Sequence, residues 1–368
     1  MVESLRQDKA RVVSGEVHPG LYLVSDGAHC KDSKGIRSLI SLGDDIFSSS
    51  TVIGSRFCAP DLLKIADYGD IVRVDYKSRS IRAVLSVKAK QNTLLVTEEC
   101  DNLCVFCSQP PKPSGHFYED ALIALSNFQG GGVIGITGGE PTYFWNPFRE
   151  FLAQAIKTCP EKSFHLLTHG RTFADINKAK ELQKTGAIKK VLFGVPLHAP
   201  TAEIHDLITG VPGSFDETVA GLLNLAFCGA SLEIRIVVNK HNYKLTGSIV
   251  EFVRARFRSV KPVIAIMQLE PVGWAKNRYD ELYVSSDLQR TFLDSAIQIS
   301  DRYDGQLTLF NYPLCHLTDS AHNLAAKSIS DWKNYFPQAC DLCTLREECC
   351  GYFSSAKGSH IENPRPFL

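Results

Sequence analysis

A regular alternation of signals runs from residue 92 to residue 303 and limits what the chain can fold into. Asn92–Thr97 is a short apolar, β-branched run, and Tyr118–Phe128 has helical apolar spacing. Gly132–Thr137, Phe164–Thr168, Val191–Leu197, Leu232–Val238 and Val263–Leu269 repeat the strand signal. A helix opens at Asn146-Pro147, read as N-cap and first helical residue, and others cover Asp175–Thr185, Thr201–Ile208 and Leu245–Phe257. Capping boxes at Ser214–Glu217 and Ser286–Gln289 open two more, reaching Phe227 and Tyr303. Strands that alternate with helices imply parallel β-α-β units. Six units are too few to close an eight-strand barrel. The expected fold is therefore α/β, a partial (β/α)6 barrel over 91–305, with an open two-sided sheet as the alternative. Residues 1–90 read as a small α+β N-terminal unit, with alternating strands over Asp70–Tyr76 and Ser80–Val87. Residues 306–368 read as a cysteine-rich C-terminal extension.

Lys+Arg and Asp+Glu are both 40 in a chain of 368 residues, so no net charge draws it to nucleic acid or an anionic membrane. The first residues lack the apolar run of a signal peptide, and no window approaches a membrane span. The expectation is a cytoplasmic protein with neither nucleic acid nor membrane as partner. In a reducing compartment, clustered cysteines read as metal ligands rather than disulfides.

Three of the 12 cysteines, Cys100, Cys104 and Cys107, follow the first strand of the repeat with C-x3-C-x2-C spacing. Sites in parallel β/α folds form at the C-terminal ends of strands, so this loop is where chemistry is expected. A closed zinc or iron–sulfur site takes four protein ligands, and no fourth cysteine lies close downstream. Thiolates at this spacing can hold three corners of a [4Fe–4S] cluster and leave one iron for a non-protein ligand. Part of a zinc knuckle is the alternative. The second strand ends in Gly138-Gly139-Glu140-Pro141-Thr142. Two glycines there admit close approach and positive φ, the glutamate accepts from a cationic amine, and the proline fixes the turn.

With both features in place, the sequence resembles the radical S-adenosylmethionine (SAM) enzymes. Their signature is C-x3-C-x-aromatic-C after the first strand and G-G-E-P after the second, and Phe106 stands at the aromatic position. The resemblance implies that SAM chelates the open iron and that Phe106, Gly138, Gly139, Glu140 and Pro141 belong to the cofactor site. It implies reductive cleavage of SAM to a 5′-deoxyadenosyl radical that abstracts a substrate hydrogen. Thr168-His169-Gly170 is similar to the family's T-N-G, with His169 replacing the asparagine. His198, ending the fourth strand, is a ribose contact or a structural histidine. Arg235 suits the SAM carboxylate or is a surface arginine, and Asn239, near the end of that strand, is a further candidate. Gln268–Gly273 would floor the adenine site. His116, His165 and His205 read as scaffold or surface. No catalytic acid or base is assigned; Tyr143 reads as a proton donor or a packing residue.

Cys315, Cys340, Cys343 and Cys349 form a second set, with Cys350 as a spare or a substitute for Cys349. Four thiolates match a closed site, a zinc ribbon or a second [4Fe–4S] cluster. The set resembles the auxiliary-cluster extensions (SPASM or twitch) of peptide-modifying radical SAM enzymes, which implies one auxiliary cluster; zinc is the alternative. Cys30, Cys58, Cys159 and Cys228 read as small buried apolar residues. Cys107-Ser-Gln-Pro-Pro111, the length and the single cysteine-rich tail resemble the radical SAM maturases of the His-Xaa-Ser system. That likeness implies a precursor peptide or a small His-Xaa-Ser repeat protein as target, and a companion radical SAM protein. It also implies a reductant such as flavodoxin or ferredoxin. The expected reaction is modification or crosslinking of a ribosomally made peptide, docked on the N-terminal unit by β-addition. The competing readings are a radical SAM enzyme acting on a small molecule or nucleoside, and a non-catalytic metal-binding scaffold.

Overall fold

The computed structural model describes residues 10–12, 14–15, 20–25, 37–41, 46–49, 56–75, 77–89, 91–327 and 334–368. Packing divides the chain into two units: Met1–Glu99 with Pro113–Leu166, and Cys100–Lys112 with Leu167–Leu368.

The N-terminal strands are β1 (Ala10–Arg11), β2 (Ser14–Gly15), β3 (Gly20–Ser25), β4 (Arg37–Ser41), β5 (Ile46–Ser49) and β6 (Arg56–Cys58). One helical turn, α1 (Leu62–Ile65), precedes β7 (Ile71–Asp75) and β8 (Ser80–Leu85). They pair in the order β1-β8-β7-β3-β4-β5-β6-β2, and only the β3–β4 pairing is parallel. Tyr22, Val24, Leu39, Phe47, Leu62, Val72 and Ile81 form its core. β7 and β8 are the two strands expected from the alternation. Beyond β8 the chain turns, because the Asp70 carboxylate accepts the N–H of Val87 at 2.7 Å.

A parallel sheet follows. Its strands are β9 (Asn92–Leu95), β10 (Val133–Thr137), β11 (Ser163–Leu167), β12 (Val191–Pro196), β13 (Ser231–Val238) and β14 (Val263–Gln268). Two more, β15 (Leu307–Phe310) and β16 (Ala325–Ala326), extend it to the order β16-β15-β14-β13-β12-β11-β10-β9. This is the partial-barrel α/β fold. The connecting helices are α2 (Tyr118–Asn127), α3 (Trp145–Thr158), α4 (Ile176–Lys184), α5 (Ala202–Thr209), α6 (Ser214–Phe227) and α7 (Thr246–Arg256). After β14 come two short turns, α8 (Trp274–Asn277) and α9 (Tyr279–Leu282), and then α10 (Ser286–Arg302). Along β13 the residues alternate as the strand period requires. Leu232, Ile234, Ile236 and Val238 are buried on one face, and Glu233, Arg235 and Val237 lie on the other.

Several helix starts differ from expectation. Asn146 is not the cap of α3: the helix begins at Trp145, and Pro147 is tolerated because first-turn N–H groups need no helical partner. Neither capping box forms. Asp206, at the end of α5, accepts from Gly213 N (2.6 Å), Phe215 N (2.8 Å) and Ser214 Oγ (2.9 Å), while Glu217 turns to Arg171. Glu362 likewise takes Ser286 N (3.0 Å) and Ser286 Oγ (2.7 Å) at the start of α10. A full carboxylate satisfies orphan N–H groups better than a neutral hydroxyl, so the distant acid displaces the local serine. Asp175, read from the sequence as the first residue of α4, is instead its cap, accepting from Asn177 N at 3.0 Å.

Candidate active site

The loop from Cys100 to Cys107 belongs to neither helix nor strand, so its shape must be imposed from outside. The end of α5 supplies part of the grip: Leu103 N donates to Thr209 O (2.8 Å) and Val105 N to Ile208 O (2.9 Å). Gly210 closes that helix at φ 71, and a Cβ there would sit 2.8 Å from Leu103 O. Trp274 N donates to Cys107 O at 2.9 Å. The three cysteines are half-buried, and Cys107 Sγ donates to Gln109 O at 3.0 Å. Burial first, and the negative charge of Cys107 second, push the Cys104 thiol up to about 12; burial also raises Cys107.

The turn after β11 reaches the first half of the loop. His169, 7% exposed, bonds through Nε2 to Asp101 Oδ1 at 2.7 Å. The hydrogen bond from His169, then the charges of His169 and Arg171, hold the Asp101 carboxyl down to about 2 against its partial burial. Arg171 Nη1 donates to Asn102 Oδ1 at 2.6 Å. Among the described residues, one trio of metal-ligating side chains brings its atoms within 4.8 Å: Cys100, Asp101 and His169.

The Gly138–Thr142 turn belongs to the other unit. Gly139 N donates to Thr97 O (2.9 Å) and Glu140 N to Glu99 O (2.7 Å). Neither Gly138 nor Gly139 has positive φ, which corrects the expectation. Glycine is needed here for space, because a Cβ on Gly138 would meet Thr97 O at 2.7 Å and one on Gly139 would meet Glu99 O at 2.3 Å. Glu140, 1% exposed, accepts from Thr142 N (2.8 Å) and Thr142 Oγ1 (2.5 Å). Pro141 O accepts from Tyr118 OH at 2.7 Å, and Tyr143 is exposed.

The other candidates divide. His198, just past the end of β12, is 2% exposed and meets Phe106 edge-on at 5.1 Å; its Nδ1 has no hydrogen-bond partner among the described residues. Burial, then the charge of His205, lowers its pKa to about 3. His205 Nδ1 accepts the N–H of His198, which makes it scaffold. Arg235 is not on the surface: it pairs with Glu233 at 2.5 Å and points Nη2 at Met267 Sδ (3.3 Å). The Asn239 side chain bonds its own turn, donating to Val237 O and accepting from His241 N. Of Gln268–Gly273, Leu269 packs beside Phe106, while Gln268 turns to Tyr283 and His316. Asp101, Asn102 and Arg171 were not singled out in the sequence, and Gly273 was named only as the end of the Gln268–Gly273 stretch. A charged residue two places beyond a strand-end histidine was the available signal for Arg171.

Residues 94–244 match the radical SAM superfamily. The chain carries a radical SAM domain. It is 25% identical over 154 residues, 40% of its length, to an AdoMet-dependent heme synthase of Oleidesulfovibrio alaskensis, of which the match covers 38%. It is 23% identical over 154 residues to the AdoMet-dependent heme synthase of Nitratidesulfovibrio vulgaris, covering 40% of each chain. The chain thus spans about two fifths of the length of these curated relatives. The fold is similar to that of Streptococcus suis SuiB bound to precursor peptide SuiA, with TM-score 0.50 at 16% identity, over 61% of this chain and 49% of that one.

The cofactors of a radical SAM domain are a [4Fe–4S] cluster and SAM. The donor set fits the cluster: three half-buried cysteines share one gripped loop, and the buried Cys104 thiol, raised by burial, would be ionised by a bound cation.

Beyond the radical SAM domain, Cys315, Cys340, Cys343 and Cys349 line one cavity. Cys340 is raised by burial and by the charges of Cys315, Cys349 and Cys343, in that order. Cys349 falls to about 6, chiefly through a hydrogen bond from Cys350 and then through Gly351 N and Leu314 N. Cys350 is buried, lies outside the cavity lining, and donates to Gly351 O at 3.2 Å. Cys159 and Cys228 are buried, Cys58 is half-buried, and Cys30 lies outside the described residues. Among the described residues no helix is long and apolar enough to cross a membrane.

Proposed function

We propose that this radical SAM protein modifies or crosslinks a ribosomally made peptide in the cytoplasm, with Cys100, Cys104 and Cys107 holding the SAM-binding cluster. The observation that carries the cluster assignment is one loop, gripped by main-chain hydrogen bonds, that presents three half-buried cysteines with C-x3-C-x2-C spacing. Held there, a [4Fe–4S] cluster with SAM would supply reductive, radical-based hydrogen abstraction from substrate. The chain's own residues supply position and dryness. Gly138, Gly139 and Glu140 would hold the SAM amino group in the turn that Pro141 fixes. Phe106 and His198 would flank the adenosyl portion, and Arg235 would take the carboxylate, exchanging its contact with Met267 for an oxyanion.

The peptide reading is supported by the four-thiol cavity, which suits an auxiliary [4Fe–4S] cluster or a structural zinc. It is also in keeping with the precursor peptide named for SuiB. A small His-Xaa-Ser repeat protein, a companion radical SAM protein and a flavodoxin or ferredoxin reductant complete it. A small-molecule substrate is the second reading, favoured by the heme synthases matched over 154 residues.

Anaerobic reconstitution with iron and sulfide, then dithionite and SAM, should give 5′-deoxyadenosine. Cys104→Ala should abolish it. A chain that holds only zinc and forms no product would establish the scaffold reading. Mass spectrometry of a candidate peptide should show loss of two hydrogens. Product that rises only with a small molecule would overturn the peptide assignment.

A further inference from the structure

The second half of the cysteine loop is gripped by main chain. Leu103 N and Val105 N bond the end of α5, and Cys107 O bonds Trp274 N. Asp101 and Asn102, the two residues after Cys100, are held by side chains instead. The partners all come from one turn, residues 168–171. We infer that this turn is a clamp that positions Cys100 for cluster binding, with His169 acting through Asp101 and Arg171 through Asn102. The inference rests on the radical SAM reading of the loop.

The geometry is directional. His169 Nδ1 accepts the N–H of Arg171 at 3.1 Å, which places the ring proton on Nε2. That proton points at Asp101 Oδ1, 2.7 Å away. The guanidinium of Arg171 spans the next peptide: Nη1 lies 2.6 Å from Asn102 Oδ1 and 3.3 Å from both Asp101 O and Asp101 Oδ2. Its Nε is anchored on Glu217 Oε2 at 2.6 Å. Asn102, 4% exposed, then directs its own N–H at Cys100 Sγ, 3.4 Å away. The clamp leads from β11 through two side chains to the thiol.

The clamp itself is rigid. Thr218 Oγ1 donates to His169 O (3.3 Å), and Asn224 Nδ2 donates to Phe173 O and Ala174 O. The backbone of α6 comes so near that a Cβ on Gly221 would lie 2.1 Å from Gly170 O. A ligand held from a helix-backed turn keeps its geometry better than one on a free loop. Releasing residues 101 and 102 would make metal binding order them each time.

The test follows release of the SAM-sensitive cluster. Anaerobically reconstituted protein is challenged with an iron chelator, and the reduced EPR signal that changes on adding SAM is followed. That signal reports the cluster with the open iron, so the C-terminal cysteines do not obscure it. His169→Leu should release the cluster about tenfold faster than wild type, the effect of one hydrogen bond to a charged group. His169→Gln, which carries an N–H at similar reach, should stay within about twofold of wild type. Asp101→Ala changes a side chain that is 47% exposed, so it opens no buried cavity, and it should release the cluster at least as fast as His169→Leu because it also removes the Arg171 contact. The double variant should be no faster than Asp101→Ala alone, because His169 acts through that carboxylate. Wild-type retention in His169→Leu or in Asp101→Ala, or multiplied effects in the double variant, would overturn the clamp while leaving the radical SAM assignment standing. A wild-type chain with no SAM-sensitive signal would overturn both.

Discussion

Gly273→Ala tests whether main-chain packing fixes Cys107. Gly273 has φ 58 and ψ −130, a region that alanine enters at a cost of about 1–3 kcal/mol. A Cβ there would lie 2.3 Å from Cys107 O and 2.6 Å from Ser108 O. Both are main-chain atoms, so no rotamer change relieves the overlap. Ordinary contact requires one side to retreat by about 1 Å. The cheaper retreat is that of the loop, because Leu269, Ala275, Tyr279 and Leu282 form a buried cluster beside Gly273. It costs the Trp274 N to Cys107 O bond, about 1 kcal/mol, and carries the Cys107 thiol with it. A ligand displaced by about 1 Å should lower 5′-deoxyadenosine formation on the order of a hundredfold. Iron per chain after anaerobic desalting should fall as well. The control is Gly186→Ala. That glycine also has positive φ (74), but a Cβ there meets nothing within 4 Å. It should lower the urea midpoint by the backbone term alone and leave iron unchanged. If Gly273→Ala keeps wild-type iron and product while Gly186→Ala is equally destabilised, backbone strain explains everything and the packing argument fails.

Three further outcomes follow. His198 and His205 are buried neutral, with pKa values lowered by burial to about 3 and about 4. An unfolded histidine binds its proton near pH 6.5, so below that the unfolded chain holds more protons. Stability should therefore fall from about pH 6.5 toward pH 4, by roughly 1.4 kcal/mol per unit for each histidine. Urea midpoints of the metal-free chain should decline over this range and decline less in His205→Phe; equal slopes would count against the assignment. In the C-terminal cavity, Cys349→Ala should lose metal while Cys350→Ala retains it, measured by elemental analysis; the reverse would make Cys350 the ligand. Glu362→Ala strips the acceptor from Ser286 N, Ser286 Oγ and Tyr283 OH, and should cost about 1–3 kcal/mol in urea unfolding. A loss under about 0.5 kcal/mol would show that water replaces the carboxylate.

The strands were legible because apolar alternation is a local property. β9 to β14 stand within a residue or two of the runs seen in the sequence. β15 and β16 were missed because four residues and two carry no period worth reading. Helix caps failed for a different reason. Ser214 and Ser286 sit in sound capping-box sequences, but Asp206 and Glu362 reach those N–H groups from elsewhere in the fold. The cysteine loop was legible as donors and spacing. Its supports were not: Thr209 and Trp274 come from other segments and act through main-chain atoms that composition cannot mark, and Arg171 acts through a guanidinium whose partners only the fold brings near. Arg235 shows the same limit: strand position gave its chemistry, but only the fold shows Glu233 beside it.

A loop of coil can present thiolates in fixed positions only if its entropy is removed before the metal arrives. Three elements do this, and all lie beyond the C-terminal ends of strands. The turn after β11 takes residues 101–102, the end of α5 after β12 takes 103 and 105, and the turn after β14 takes 107. Each support is a short connection on a paired strand, so the loop inherits the order of the parallel sheet without being part of it. This explains why glycine recurs at the contacts. Gly210 and Gly273 press against loop main chain, where a side chain would displace the thiols. The electrostatics have the same logic. Asp101 keeps its charge because His169 and Arg171 face it, whereas at Cys104 burial and the charge of Cys107 outweigh the pull of Arg171. The acid in the loop is settled by the protein, and the thiolates are left for the cluster.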